Sequence, residues 1–371
     1  MVQSLAECLP TLLSGLPQVI LNEEASTSLR SHCRILPARW AMHELGLRVP
    51  LGSRCAHAEF WATASRDQEG QALLHEFLAS GAFNGQTDSA ALAVLGRLQA
   101  LAEIWSVSPW DRRMDDLKLH WPLSASDAYD FGLPWMWAGP LIERTDDHLW
   151  HAWSQQVMPC LLGMPPDKIL MELLTHSRAC LPEQSSFYQL GVSPQWPAHS
   201  VYVAVQYMGL DQVLAYLKAL GLALDFEALS GHFRWLQRFA NEWTLQLAIP
   251  MRGAFSMKLS CSGSHTHHAA QQAQDWALIL QGLEAFGLCQ PEKNQALQTA
   301  VSILCQREHA LAWPHEAEQL QHLMARESVF RRYIKRIEIE FNSSGPTQAW
   351  AQLAFRHDWG RPFKQGPIGH C

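Results

Sequence analysis

Charged and aromatic residues alternate with apolar ones in several short segments of the sequence, so one face of each segment carries groups that could do chemistry. Lysine and arginine stabilise negative charge that develops on a leaving group, and carboxylates are available for acid–base work, provided that the face is sheltered from water. The same alternation is also typical of the solvated face of any one-sided antiparallel sheet. The candidate residues share a position on the polar or inward-type face of an extended segment: Lys118, Tyr202, Lys258, Glu338, Glu340, Trp350 and Arg356.

Histidines form a second group of candidates. His265, His267 and His268 are close enough in sequence to bind a transition metal, but no fourth ligand follows at a recognisable spacing, so a polar loop is favoured and no metal site is predicted. His120 and His357 stand near the ends of extended segments, where they could transfer protons. The alternative for both is an exposed histidine or one with its partners in the core.

Familiar catalytic motifs are missing from the sequence. GxSxG, GxxxxGK[ST], GxGxxG, HExxH and DDxxD do not occur. The sequence therefore does not indicate a serine hydrolase, a nucleotide-binding loop, a zinc peptidase or a metal-dependent terpene cyclase of the helical type. No cofactor is predicted.

Composition limits the class of protein and its partners. The 371 residues are 48% hydrophobic and 17% charged, which is typical of a globular protein with a sizeable core. A formal charge of -7 without a basic block argues against nucleic acid. No secretory signal, membrane-spanning run or CxxC pair is found, so we expect a cytoplasmic protein with reduced thiols. Sixteen tryptophans indicate large apolar surfaces or a stacking pocket.

Helices and hairpins follow one another in a regular order. Apolar spacing predicts a mostly helical region over 1–110, with helices at 8–16, 26–35, 59–80 and 90–105. Strand alternation begins after it. The predicted hairpins are 115–123 with 131–139, 187–194 with 199–207, 241–250 with 254–262, and 335–343 with 347–359. Between them we predict helices at 146–158, 166–180, 210–221, 229–239, 269–286, 291–304 and 315–326.

The predicted strands are amphipathic in the same sense each time, apolar on one face and polar on the other. The helices must cover the apolar face. The polar face either stays open to water or curls into a barrel around a central cavity, which would also remove the edge strands. The fold class is therefore α+β, an antiparallel sheet or barrel of repeated hairpins with helices on its outer face. We expect a helical region over 1–110, the ββαα repeat over 111–360 and a flexible tail over 361–371.

This order of elements resembles the ABBA family of prenyltransferases over residues 111–359. In that family αββα units close into a barrel with a solvent-accessible lumen. The resemblance implies that basic residues and tyrosines on inward strand faces hold the diphosphate of an allylic donor, here Lys118, Tyr202, Lys258 and Arg356. It also implies a carboxylate that assists an aromatic acceptor, for which Glu338 and Glu340 are available, while tryptophans such as Trp350 would line the walls.

Two hypotheses follow for the function. The first is an enzyme that transfers an allylic group from a diphosphate to an aromatic small molecule or peptide side chain. The second is a non-catalytic scaffold that binds a peptide or protein on the polar sheet face or at a strand edge. A closed cavity of several hundred Å3 lined by Lys118, Lys258 and Arg356 favours the enzyme, and a flat exposed face favours the scaffold. The oligomeric state is left open.

Overall fold

The fold is described from a computed structural model. It describes residues 4–52, 58–80, 89–107, 110–123, 134–192, 201–240, 242–249, 257–262, 269–305, 327–343 and 345–360.

The described residues form twelve strands, which lie in one antiparallel sheet. They are β1 (Leu45–Pro50), β2 (Glu59–Ser65), β3 (Met114–Pro122), β4 (Trp135–Pro140), β5 (Ile142–Glu143), β6 (Ser186–Val192), β7 (Val201–Met208), β8 (Trp243–Ile249), β9 (Met257–Ser262), β10 (Ser302–Cys305), β11 (Glu327–Asn342) and β12 (Gly345–Gly360).

Ten of these strands close into a barrel. Around the ring the order is β1, β2, β3, β4, β6, β7, β8, β9, β11 and β12, and β12 pairs with β1 again, Leu45 opposite Phe355. The closing contact is between β9 and β11, where Ile339 pairs with Leu259. β10 pairs with β11 and β5 with β6, so both extend the ring locally. Closure leaves the polar strand face inside the barrel.

The helices cover the apolar outside of the barrel. They are α1 (Leu5–Leu12), α2 (Glu23–Ile35), α3 (Gly70–Ala79), α4 (Ser89–Trp105), α5 (Trp110–Arg113), α6 (Asp147–Leu162), α7 (Lys168–Ala179), α8 (Leu210–Ala219), α9 (Phe226–Leu236), α10 (Ala269–Ala285) and α11 (Pro291–Ala300). Short 3-10 helices span Ala38–Met42 and Arg66–Gln68. Outward strand residues such as Leu47, Leu353 and Ile337 join helix residues such as Val157 in one hydrophobic core. The core therefore forms a shell between the barrel and the helices.

Local sequence sets the ends of these helices. The Asp167 side chain accepts a hydrogen bond from Leu170 N at 2.7 Å and caps the start of α7. Asn22 caps α2 in the same way through Ala25 N at 2.8 Å. Just beyond α8, Gly221 adopts a φ of 71°, a conformation that glycine adopts without strain.

The predicted fold class is confirmed, and the open choice between sheet and barrel is decided in favour of the barrel. All four predicted hairpins are present, as β3–β4, β6–β7, β8–β9 and β11–β12. Helix pairs α6–α7, α8–α9 and α10–α11 stand between them, as predicted.

The sequence did not predict a fifth hairpin, β1–β2. The helix predicted at 59–80 is wrong for its first part, where Glu59–Ser65 is β2, and only Gly70–Ala79 is helical. Alanine and glutamate favour a helix there, but the segment is paired on both sides in the barrel, and such pairing overrides local propensity. β1 and β2 are thus barrel strands within the first 110 residues. The division into regions 1–110 and 111–360 otherwise stays a prediction.

The helix predicted at 291–304 ends earlier than expected. α11 stops at Ala300, and Ser302–Cys305 forms β10 on the edge of β11. The predicted helix at 315–326, the histidines His265, His267 and His268, and the tail 361–371 lie outside the described residues. Among the helices that the structure describes, none has the length and apolar character needed to cross a bilayer. The cytoplasmic location stays a prediction.

Candidate functional site

A cavity opens in the lumen of the barrel. Its volume is about 80 Å3, which is smaller than the several hundred Å3 that the enzyme hypothesis predicted. Alternate residues of the barrel strands point into it because side chains along a strand change sides at every position. Its charged and aromatic lining consists of Arg48, Glu59, Lys118, His120, Trp135, Trp137, Tyr202, Lys258, Arg336 and Glu338.

Arg48 on β1 is the centre of an ionic cluster at one side of this cavity. Its side chain is only 5% exposed and donates to three carboxylates: Nε to Glu338 Oε2 at 2.7 Å, Nη1 to Glu59 Oε1 at 2.8 Å, and Nη2 to Glu340 Oε1 at 3.1 Å. The guanidinium also lies 3.8 Å from the ring centroid of Trp350. The four groups hold one another in place, since each carboxylate is fixed by a donor of the same guanidinium.

The cluster keeps its carboxylates ionised. Burial alone would raise the pKa of Glu338, but Arg48, with help from Lys258 and Arg336, lowers it to about 2. Burial opposes ionisation of Glu59 as well, and Arg48 outweighs it, so that the pKa of Glu59 is well below its usual range. Both carboxylates are therefore counter-ions of Arg48 at neutral pH.

Lys118 on β3 also lines the cavity and has fewer close anionic partners than Arg48. Its Nζ donates to Gln352 Oε1 at 3.2 Å and lies 4.2 Å from the ring centroid of Trp61. Burial is the main reason why the pKa of Lys118 is well below 10.5, and the nearby cations Lys335 and Arg336 add to it. An anion entering the cavity would reverse this shift, because it would stabilise the ammonium form.

Arg336 on β11 is a second buried cation beside Lys118. It lines the same cavity, is hydrogen-bonded to the side chain of Tyr188, and has no partner for its Nε within the described part of the chain. Lys118 and Arg336 therefore offer donors that an anionic ligand could use.

Aromatic side chains form the wall opposite the ionic cluster. The Tyr202 ring lies 5.2 Å from that of Trp135 and 5.9 Å from that of Trp137, centroid to centroid. Trp137 pairs across the strands with Gly191, and a β-carbon on that glycine would stand 2.5 Å from Cε3 of the tryptophan ring. The glycine therefore lets Trp137 lie flat against the barrel wall and keeps space in the lumen.

His120 lies between Glu59 of the ionic cluster and Trp137 of the aromatic wall. His120 on β3 has its Nδ1 at 3.7 Å from Oε2 of Glu59, and its ring centroid is 6.4 Å from that of Trp137. Burial and the neighbouring Lys118 lower the pKa of His120 to about 4, against the opposing effect of Glu59. The imidazole is consequently neutral at pH 7.

A second charged cluster surrounds the other side of Trp61. Glu44 accepts hydrogen bonds from Lys335 Nζ at 2.6 Å and from the Tyr333 hydroxyl at 2.7 Å. Burial would raise the pKa of Glu44, but Lys335 lowers it to about 2. Lys335 also lies 5.1 Å from the Trp61 ring centroid, so Lys118 of the cavity and Lys335 of the second charged cluster both contact this ring.

The structure brings most of the residues predicted from the sequence together. Lys118, Tyr202, Lys258 and Glu338 line the cavity. At its edge, Glu340 binds Lys258 Nζ at 3.1 Å as well as Arg48, and Trp350 covers the guanidinium. Their roles in substrate binding or catalysis stay predictions.

Arg356 is not brought to the cavity. Its side chain is exposed, and its hydrogen-bond partner is Tyr333 of the second charged cluster. Arg356 lies on the same face of β12 as Gln352, which does line the cavity, but it is four residues further along the strand. Of the three basic residues that were expected to line the cavity of an enzyme, Lys118 and Lys258 do so and Arg356 does not.

Several residues that line the cavity were not predicted from the sequence. Arg48 and Glu59 lie on β1 and β2, the hairpin that was missed, although Leu47, Arg48 and Val49 do alternate. Arg336 lies two residues before the predicted Glu338 on β11, but it was not among the predicted residues. Within the described part of the chain, no three His, Cys, Asp or Glu side chains form a group that could hold a metal ion.

Comparisons with known proteins agree with this architecture. No protein-family model and no curated protein matches the sequence. Among solved structures, the chain is similar to the apo form of the prenyltransferase PriB, with a TM-score of 0.53 and 12% identity over 98% of this chain and 99% of that one. It is also similar to a 6-dimethylallyltryptophan synthase from Micromonospora olivasterospora, solved in complex with DMASPP and Trp. That match has a TM-score of 0.50 and 10% identity over 95% and 97% of the two chains. The chain therefore has the fold of the αββα-barrel prenyltransferases, as the order of its elements predicted.

Proposed function

We propose that the protein is a prenyltransferase, which binds an allylic diphosphate in the barrel lumen and transfers the allylic group to an aromatic small molecule or peptide side chain. The observation that carries the proposal is the cavity in the barrel lumen, which is lined by the buried side chains of Lys118 and Arg336 and by Trp135, Trp137 and Tyr202. DMASPP and Trp in the Micromonospora neighbour are a donor and an acceptor of the proposed classes.

Each part of the cavity fits a step of this reaction. Breaking the allylic carbon–oxygen bond leaves negative charge on the diphosphate, and fixed cations in a sheltered site stabilise that charge. Lys118 and Arg336 are the groups available for it, because Arg48 is already surrounded by carboxylates and Lys258 by Glu340. The allylic cation that forms is stabilised by the faces of aromatic rings, by about 1–2 kcal/mol each when water is excluded.

The scaffold hypothesis loses the polar sheet face but keeps a strand edge, such as that of β10 among the described strands. In the ten described barrel strands the polar face is the inner surface of a closed ring, so a partner protein cannot lie flat against it. A flexible peptide end could still enter the lumen, and that case is covered by the peptide acceptors of the enzyme hypothesis.

The proposal is tested by titrating the full-length protein with allylic diphosphates of five, ten and fifteen carbons in a calorimeter. We expect saturable binding of the donor, because Lys118 and Arg336 offer hydrogen-bond donors to the diphosphate inside the cavity. Lys118→Met should weaken donor binding by roughly ten- to hundredfold. Lys218→Met, at an exposed lysine of α8, is the matched control.

Product formation is measured with the same donors and a panel of indoles, phenols and tryptophan-containing peptides. Mass spectrometry should show addition of one prenyl group to an aromatic ring. If the wild-type protein binds none of the donors and forms no such product, the proposed function is wrong.

A further inference from the structure

Prenyl transfer to an aromatic ring releases a proton, and a group in the lumen must receive it. The carboxylates predicted from the sequence are poorly suited. Glu338 accepts from Arg48 on one oxygen and from Gln352 on the other, and Glu340 accepts from both Arg48 and Lys258. A carboxylate that is held in this way is a weak base, because protonation would break its ion pairs.

His120 is better placed to receive the proton. It lines the cavity with a side chain that is 12% exposed, and it stands on β3 between Glu59 of β2 and the tryptophans of β4. Its Nδ1 faces Oε2 of Glu59 at 3.7 Å, a distance that can shorten to a hydrogen bond when a substrate fills the cavity. Arg48 fixes the other oxygen of Glu59 at 2.8 Å. Glu59 is thus anchored on one side and presents an acceptor to the imidazole on the other.

We propose that His120 is the proton acceptor of the transfer reaction and that Glu59 is its positioning residue. The inference rests on the proposed function and adds the group that takes the proton from the acceptor. Glu59 holds the hydrogen on Nδ1, so the lone pair of Nε2 is the one available to the acceptor. An anchored carboxylate, an imidazole and a substrate then form a relay of the kind that activates nucleophiles on other folds.

The step balances without a cofactor. The bond between the allylic carbon and the diphosphate oxygen breaks, and its electron pair leaves with the diphosphate, which Lys118 and Arg336 bind. An electron pair of the aromatic ring forms the new carbon–carbon bond. The proton at that ring position passes to Nε2 of His120, and the carbon–hydrogen pair restores the aromatic system. The imidazolium, stabilised by Glu59, then releases its proton to water.

The charged groups around His120 determine when it can act. Glu59 faces it from β2, Lys118 lies on its own strand, and Arg48 reaches from β1, while β4 contributes the uncharged Trp135 and Trp137. Burial, Lys118 and Arg48 lower the pKa of His120 to about 4, so the imidazole is unprotonated and ready at pH 7. A bound diphosphate adds negative charge next to Lys118 and raises this pKa, which makes His120 a stronger base once the donor is in place.

The experiment compares wild type with His120→Gln and Glu59→Gln in the full-length protein, with donor affinity and turnover measured separately. We expect His120→Gln to bind the donor as tightly as wild type and to lose about 10²- to 10⁴-fold in kcat. In wild type, kcat/KM should fall below about pH 4, where His120 of the free protein becomes protonated. In Glu59→Gln the same limb should shift to lower pH, since the group that raises the pKa of His120 is gone.

His357→Gln is the matched control. His357 is buried and burial also lowers its pKa to about 4, but its ring contacts Phe330 and Trp359 and does not line the cavity. This variant should keep the wild-type kcat and acid limb.

A nitrogen NMR spectrum gives a readout that does not depend on turnover. His120 should carry its hydrogen on Nδ1 in wild type and lose that preference in Glu59→Gln. A His120→Gln variant with wild-type kcat and an unchanged acid limb, or a spectrum without the Nδ1 preference, would overturn the role of His120 while leaving the proposed function intact. A wild-type protein without donor binding or product would refute the function and this role together.

Discussion

Replacing Arg48 with methionine would remove the cation that pairs with all three of Glu59, Glu338 and Glu340. The side chain is 5% exposed and makes three hydrogen bonds of 2.7–3.1 Å to those carboxylates. Methionine is similar in length and apolar, so it refills most of the volume, keeps a contact with Trp350 and leaves the charges uncompensated. Breaking a buried pair by removing one partner costs about 3–5 kcal/mol. We expect the free energy of unfolding at pH 7 to fall by that amount.

The loss should shrink as the pH falls. In wild type the pKa of Glu338 is about 2 in the folded state and near 4.5 in the unfolded chain, so its stabilisation is present above pH 4.5 and is lost as the pH falls through 2. In the variant, burial acts on Glu338 without Arg48, so its folded pKa is higher than in wild type, although Lys258 and Arg336 still lower it. Protonation then relieves the cost of burying the carboxylate at a higher pH than in wild type. The two proteins should therefore differ less at pH 5 than at pH 7.

Urea unfolding followed by tryptophan fluorescence measures both quantities. Arg66→Met is the matched control, because Arg66 pairs with Asp115 at 2.9 Å with side chains that are 43% and 56% exposed. An exposed pair of this kind contributes less than about 1 kcal/mol. The reasoning is refuted if Arg48→Met costs no more than Arg66→Met, or if its cost is the same at pH 5 and pH 7.

Two further predictions concern the barrel wall and acid stability. Gly191→Ala should force the Trp137 ring into the lumen and destabilise the fold by roughly 1–3 kcal/mol, whereas Gly96→Ala, with open space on the exposed side of α4, should stabilise it by about 0.5–1 kcal/mol. Thermal unfolding should show these opposite signs, and equal effects would contradict the packing argument. Burial lowers the pKa of His43 and His357 from 6.5 to about 4, so the unfolded chain binds protons first on acidification. Stability should fall from pH 6.5 to 4 by up to roughly 3 kcal/mol for each histidine. A flat profile in denaturant titrations over this range would contradict it.

Amphipathic alternation was sufficient to find the four later hairpins, because each has polar residues on one side and apolar ones on the other. It failed for β1 and β2. Leu45–Pro50 is short and buried at every position, and Glu59–Ser65 mixes the helix formers Glu59, Ala62 and Ala64 with strand formers. Their strand conformation comes from pairing with β12 and β3, which lie far away in sequence. Arg48 and Glu59 were lost from the predicted site for the same reason.

Alternation predicts the side of the sheet on which a residue lies but not its height along the barrel axis. Lys118 and Arg356 both have inward parity, yet Lys118 is buried in the cavity and Arg356 is exposed beyond it. Height depends on register and on irregularities, such as the shift between Ile334 and Arg336 in β11. Barrel closure could not be predicted from local alternation either, since it depends on the long-range pairing of β9 with β11 and of β12 with β1.

The last hairpin, β11–β12, fills the gap between β1 and β9. The barrel can therefore close only after nearly the whole chain has been synthesised. During synthesis β1 has β2 on one side, but its other edge waits for β12, whose pairing residues Trp350–Phe355 emerge some three hundred positions later. Until then the unfinished sheet exposes two strand edges and a charged inner face to other chains. Pairings so distant in sequence are slow to form, because loop closure precedes any gain in contacts. The β11–β12 hairpin therefore closes the barrel, and a chain that ends before this hairpin would be left as an open sheet.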